Sequence, residues 1–211
     1  MEIHRIVFSP IEVNTYILAD ASGDCAVIDC GCYDESEFKK LEQFISEKKL
    51  HPVLLLNTHC HLDHIFGNNF MLEKYNLRSF SHEQDEKNRT NSVNHALMFG
   101  LTMEDPPEPA GFIADNQKLT FGSIELKTLH VPGHSPGSIA FYSEKERCVF
   151  TGDALFAGSI GRTDLPGGSS DTLLASIKTQ LFTLPPDTVV YPGHGGKTDI
   201  KTEMKYNPFF S

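Results

Sequence analysis

Thr58-His59-Cys60-His61-Leu62-Asp63-His64 sets three imidazoles and a carboxylate within six residues. Pro52-Val-Leu-Leu-Leu-Asn57 leads into it and Ile65-Phe66-Gly67 leads out. An apolar run bounded in this way predicts a buried strand that ends in a tight, ligand-bearing loop. Imidazole and carboxylate are the donors that suit zinc and its neighbouring transition metals.

Three later stretches repeat the design, each with a β-like run that ends just before a possible ligand. They are Val131-Pro-Gly-His134-Ser-Pro-Gly137, Phe150-Thr-Gly-Asp153 and Tyr191-Pro-Gly-His194-Gly-Gly196. Loops at strand ends along one sheet edge are where open sheet folds place their sites. Five histidines (His59, His61, His64, His134, His194) and two aspartates (Asp63, Asp153) are too many for one tetrahedral ion. They suit two ions that share a carboxylate, about 3.5–4 Å apart. His4, His51, His82, His95 and His130 have no such company and read as surface or core residues. Cys60 lies between two candidate ligands and is not expected to join them.

The rest of the chain predicts two β-sheets with helices outside. Val13–Asp20 and Cys25–Asp29 read as a hairpin. Asp34 reads as a helix N-cap with Glu37 as its capping-box partner. Phe38, Leu41, Phe44 and Ile45 give the following helix one apolar face. A second amphipathic segment runs from about Phe66 to Tyr75, and His82 to Gly100 reads as helical. The prolines of Glu104–Gly111 exclude a regular element there. Strands follow at 124–131, 138–142 and 147–151. Then come a helix capped by Ser170 or Asp171 and a last strand at 188–191. Residues 1–211 read as one domain, with 83–112 as a candidate lid over the site.

Composition narrows the function. The 211 residues are 39% hydrophobic and 22% charged, ordinary for a soluble globular protein. A formal net charge of -10 disfavours a nucleic-acid role built on phosphate contacts. No basic-then-apolar leader is visible, and no apolar run approaches the ~20 residues needed to span a bilayer. Five cysteines without a CxxC pair fit a reduced, cytoplasmic protein. Cys30 and Cys32, the one close pair, read as packing residues.

His-x-His-x-Asp-His, followed in order by Pro-Gly-His134, Gly-Asp153 and Gly-His194, resembles the metallo-β-lactamase-fold hydrolases over nearly the whole chain. The resemblance implies an αββα sandwich of α/β class, with two mixed sheets, helices on the outer faces and metals at one edge. It implies that His59, His61 and His134 hold one metal, that Asp63, His64 and His194 hold a second, and that Asp153 bridges. Val27-Ile-Asp29-Cys-Gly31 resembles the family's early turn, whose aspartate supports the site from behind the ligands. The implied cofactors are two zinc ions, with iron or manganese accepted by the same donors. The implied reaction is attack by a metal-bound hydroxide, with Asp63 as a catalytic residue.

Within the superfamily, flavodiiron proteins carry glutamate where His61 stands. True β-lactamases lack a bridge like Asp153, and nucleases carry nucleic-acid-binding parts absent here. Gly161-Arg-Thr-Asp-Leu-Pro-Gly-Gly168 looks most like small glyoxalase-II-like thioester hydrolases and also like persulfide dioxygenases. The first implies hydrolysis of a 2-hydroxyacyl thioester such as S-lactoylglutathione. The second implies one iron on His59, His134 and Asp153. A phosphodiesterase of the superfamily and a non-catalytic, metal-stabilised binding module are the remaining alternatives. Two departures stand out. Longer glyoxalase II enzymes carry a C-terminal glutathione-gripping helical region, but this chain stops soon after His194. Arg162 and Asp164 also occupy places where those enzymes use a lysine and a tyrosine. Arg162 is thus either a substrate contact or the partner of Asp164. The expected partner is a small-molecule thioester, with no nucleic acid, no membrane and no oligomeric state specified.

Overall fold

Strand β2 (Val13–Ala19) is buried on both faces, and its alternation sets the layering. Ile17 and Ala19 join Leu41, Ile45 and Met71 in one apolar cluster, whereas Tyr16 and Leu18 join Leu126, Phe141 and Phe150 in another. The first cluster lies under helices, and the second lies between two sheets. The computed structural model describes residues 1–210.

The first sheet has the order β1 (Glu2–Phe8), β2, β3 (Asp24–Ile28), β4 (His51–Leu56), β5 (Ser79–Ser81), β6 (Gly111–Phe112). Its β1–β2 and β2–β3 pairs are antiparallel, and β3–β4, β4–β5 and β5–β6 are parallel. The second sheet comprises β7 (Lys118–Phe121), β8 (Ile124–His130), β9 (Ile139–Ser143), β10 (Cys148–Gly152), β13 (Val189–Pro192) and β14 (Thr198–Asp199). Its β10–β13 pair is parallel and the others are antiparallel. A small ribbon, β11 (Leu155–Phe156) and β12 (Ser159–Ile160), stands apart.

Helices α1 (Glu35–Glu47) and α3 (Asn68–Tyr75) cover the outer face of the first sheet through Leu41, Ile45 and Met71. Helices α6 (Ser170–Ser176) and α7 (Ile200–Tyr206), with a π turn over Ile177–Leu181, cover the second sheet through Leu173, Ile177, Leu181 and Ile200. This is the αββα sandwich with two mixed sheets. The short helix α2 (Leu62–Ile65) follows the first histidines. Beyond β5, a 3-10 turn (Glu83–Asp85), α4 (Glu86–Thr90) and α5 (Ser92–Met98) replace the single helix expected from His82 to Gly100. Among the described residues, no helix is long and apolar enough to cross a membrane.

Two cap expectations change. Asp34 caps α1, accepting from Ser36 N at 2.9 Å and Glu37 N at 3.0 Å. Glu37 does not close the box on Asp34. Its carboxylate accepts from Tyr33 N at 2.8 Å and Ser9 N at 2.8 Å, because the β1–β2 turn brings a further backbone donor within reach. The cap of α6 is Ser169 rather than Ser170 or Asp171. Donation from Ser169 N to Gly133 O at 2.8 Å holds Ser169 extended, so the helix starts at Ser170, earlier than a cap at Ser170 or Asp171 would place it.

Candidate metal centre

The ends of β4, β8, β10 and β13 converge, and backbone bonds tie them within and between the two sheets. Ile139 N donates to Thr58 O at 2.7 Å, Asn14 N to Gly193 O at 2.7 Å, and Gly193 N to Gly152 O at 2.8 Å. A Cβ at Gly193 would run into the Asp153 carboxylate and His64, so only glycine fits beside those groups.

All seven sequence-predicted residues meet at this edge. His134 Nε2 lies 3.1 Å from His59 Nε2 and 2.8 Å from His61 Nδ1. His194 Nε2 lies 3.1 Å from Asp63 Oδ2, and His64 Nε2 lies 3.5 Å from the same oxygen. Asp153 stands between the two groups. Its Oδ2 is 3.7 Å from His134 Nε2 and 3.6 Å from His194 Nε2, and its Oδ1 is 3.4 Å from His64 Nε2. The groups His59–His61–His134 and Asp63–His64–His194 each keep their donor atoms within 4.8 Å of one another. Donors about 2.0–2.1 Å from a tetrahedral zinc are about 3.3 Å apart, so these spacings suit a small cation.

Hydrogen bonds on the far side of the rings fix which nitrogen points inward. His64 Nδ1 donates to Asp29 Oδ2 at 2.9 Å, His134 Nδ1 to Arg162 O at 2.8 Å, and His194 Nδ1 to Glu12 O at 3.1 Å. Thr58 Oγ1 donates to Asp29 Oδ2 at 2.7 Å and accepts from His59 Nδ1 at 3.0 Å. These four rings therefore present Nε2 to the centre, with tautomers assigned from the bonding network. His61 is the exception and presents Nδ1. Asp29 also accepts from Thr58 N at 2.7 Å, so one carboxylate supports both His64 and the start of the histidine loop.

The electrostatics leave room for a cation. His64 Nε2 and Asp153 Oδ1 are buried without a hydrogen-bond partner. A buried polar atom left unpaired costs about 1–3 kcal/mol, and an ion between them would pair both. Burial, reinforced by neighbouring imidazoles, holds His59 well below the usual histidine range. Burial likewise lowers His61 to about 3, with His134 adding to it. Burial also opposes charge on His64, but Asp63, Asp153 and Asp29 outweigh it and hold that ring well above its usual value. For Asp153, burial is outweighed by His64, His134 and His194, which keep the carboxylate ionised. Neutral His59 and His61 beside ionised Asp153 can hold a divalent cation, which would replace the proton that the carboxylates otherwise hold on His64.

Asp85 was not singled out by sequence. It is fully buried and accepts from Cys60 N at 2.7 Å, Gly137 N at 2.7 Å and Ser135 Oγ at 2.9 Å. It thus joins the His59 loop to the His134 loop. Burial raises its carboxyl above the usual range, and the donors from Cys60 and Gly137 offset part of that. It lies far in sequence from both loops, in a stretch read as helical, and carried no local signal. Cys60 contributes that N–H and does not belong to either group of donors. The five cysteines are free and buried, with Cys30 and Cys32 sulfurs 3.7 Å apart.

A cavity of about 610 Å³ opens over the centre. Ile11, Leu62, Met98, Phe99, Phe156, Leu165 and Pro166 form the apolar part of its wall, beside His61, Asp63, His134, Asp153 and His194. Met98 and Phe99, at the end of α5, bring the middle of the 83–112 segment to this wall. His95, read from sequence as a surface or core residue, also lines it. Arg162 lines it too, with Nε and Nη2 each 2.7 Å from the two oxygens of Asp164.

The family model described as "Metallo-beta-lactamase superfamily" matches residues 9–194. A probable metallo-hydrolase, YqgX of Bacillus subtilis, is 40% identical over all of this chain and 98% of that protein. Hydroxyacylglutathione hydrolase GloC of Haemophilus influenzae is 34% identical, over 100% of this chain and 99% of that one. Among solved structures, BLEG-1, described as a B3 metallo-beta-lactamase, has a TM-score of 0.92 at 32% identity, covering 100% of both chains. TTHA1623 in a di-iron-bound form has a TM-score of 0.89 at 37% identity, covering 98% of this chain and 99% of that one.

Proposed function

The chain belongs to the metallo-β-lactamase superfamily, and from that premise we propose that it is a dinuclear metal-dependent hydrolase that cleaves a thioester of the 2-hydroxyacyl kind. The observation that carries this reading is the place of Asp153, whose Oδ2 faces both His134 and His194 from 3.7 Å and 3.6 Å. His59 Nε2, His61 Nδ1 and His134 Nε2 would hold one ion. Asp63, His64 Nε2 and His194 Nε2 would hold the other, with Asp153 reaching both. Two divalent ions bound there would polarise a carbonyl oxygen and lower the pKa of a coordinated water towards ~7.

The chain's own groups do the rest. Asp63, at the cavity floor and 3.1 Å from His194, would hold the proton released by the attacking water. Asp29 and Thr58 keep His64 and His59 oriented while charge changes beside them. The likeness to a hydroxyacylglutathione hydrolase supports a thioester substrate. The likeness to a B3 metallo-β-lactamase makes β-lactam cleavage the reading to test beside it. Zinc is the proposed metal, and the di-iron relative makes iron the alternative.

The test is a substrate panel on metal-loaded protein: thioesters including S-lactoylglutathione, a chromogenic cephalosporin, and a persulfide with oxygen uptake recorded. Thioester turnover without oxygen uptake is expected. A protein carrying two ions per chain that leaves every thioester intact would overturn the proposal. Oxygen uptake with a single iron would make it a dioxygenase.

A further inference from the structure

We propose that the substrate carries an uncharged, apolar arm next to the scissile carbonyl, and that Met98 and Phe99 at the end of α5 select it. This rests on the hydrolase reading and narrows its substrate class.

Met98 is 81% exposed and Phe99 56% exposed, yet both face the cavity over the metal centre. Large apolar side chains left open to water and gathered at one cavity mark a binding surface. The apolar surface reaches the floor itself. Leu62 adjoins Asp63 in sequence, and the Phe156 ring lies 6.4 Å from the His194 ring, centroid to centroid. An arm attached to the reacting carbonyl would therefore meet apolar surface at once.

The wall has little to offer a charged arm. Among the described residues, Arg162 is the single lysine or arginine lining this cavity, and Asp164 already holds it through two bonds of 2.7 Å. A carboxylate arriving there would exchange one exposed ion pair for another beside a displaced acid, with little net gain. Besides the candidate metal ligands, glutathione, with two carboxylates and an ammonium, finds on this wall the paired Arg162 and the single imidazole of His95, whose Nε2 is already bonded to the Asn91 amide. An aliphatic or aromatic thiol, or an acyl group of the same character, matches the wall's apolar side chains.

Matched pairs of products separate the two possible arms. Titration calorimetry on the metal-loaded protein would compare benzyl mercaptan with glutathione for the thiol side, and mandelate with lactate for the acyl side. Mandelate and lactate share the 2-hydroxycarboxylate head, and the two thiols share the sulfhydryl. At least one pair is expected to favour its apolar member by about tenfold or more. The double variant Met98→Ser, Phe99→Ser is expected to erase that preference. Both positions are solvent-exposed, and unchanged metal content shows that the variant is intact. Equal affinities within both pairs, or a preference that survives in the intact variant, would overturn the proposal. A clear apolar preference in a protein that hydrolyses no thioester would leave the wall's role standing and remove the thioesterase reading.

Discussion

Asp29 has a φ of +52°, a left-handed conformation that costs a residue other than glycine about 1–3 kcal/mol. The conformation lets one carboxylate reach Thr58 N, Thr58 Oγ1 and His64 Nδ1. Asparagine tolerates the same backbone, so Asp29→Asn should fold. It would weaken the hold on His64, and a 10- to 100-fold loss of metal affinity is expected by competitive chelator titration. Asp63→Ala has a different signature. Its circular dichroism should match the parent while thioester turnover disappears. Undiminished turnover would mean that Asp63 has no catalytic part.

Elements meet at the site through a few buried or capped acids. Asp85 links the segment before α4 to the loops that carry His59 and His134. Asp85→Ala would leave buried N–H groups of Cys60 and Gly137 unpaired. A loss of about 2–4 kcal/mol follows from that, which at this size lowers Tm by roughly 5–15 °C. Scanning calorimetry measures it. Asp20 ties two turns together, accepting from Ser22 N at 2.7 Å and from Ser123 N at 3.0 Å. The Ser22 side-chain bond, then the Ser123 backbone bond, lower its carboxyl to about 2 from an ordinary 3.8. A depressed folded-state pKa stabilises above the unfolded value and is lost as pH falls through the folded one. The Tm difference between parent and Asp20→Asn should therefore be constant above pH ~5, shrink as pH falls, and vanish only below about pH 2.

At the same scale, legibility followed element length. The strand-end stretches carrying His59, His134, Asp153 and His194 were readable because each joins a run of apolar residues to a glycine or a ligand cluster. Strands β6, β11, β12 and β14 have two residues each, too few to show any alternation. Asp85, His95 and the inward Nδ1 of His61 depend on the packing of distant segments, and no local pattern encodes them. Arg162 was readable as a cation near the site, but its pairing with Asp164 was one of two equal alternatives until the side chains were placed.

For the whole molecule, two sheets pressed together deliver four loops to one edge, and the loops bring together seven groups that could hold metal. Burying those groups without a cation leaves unpaired atoms, so metal binding and fold stability should be linked. Removing metal with a chelator is expected to lower Tm, and restoring it to raise Tm in a concentration-dependent way. The central claim is that this edge holds two ions per chain. Elemental analysis of the purified protein, with chain concentration determined by amino-acid analysis, tests it most directly. The account predicts about two metal ions per chain, falling towards one in Asp63→Ala. A stoichiometry of one or fewer in protein reconstituted with excess zinc, iron or manganese would contradict it.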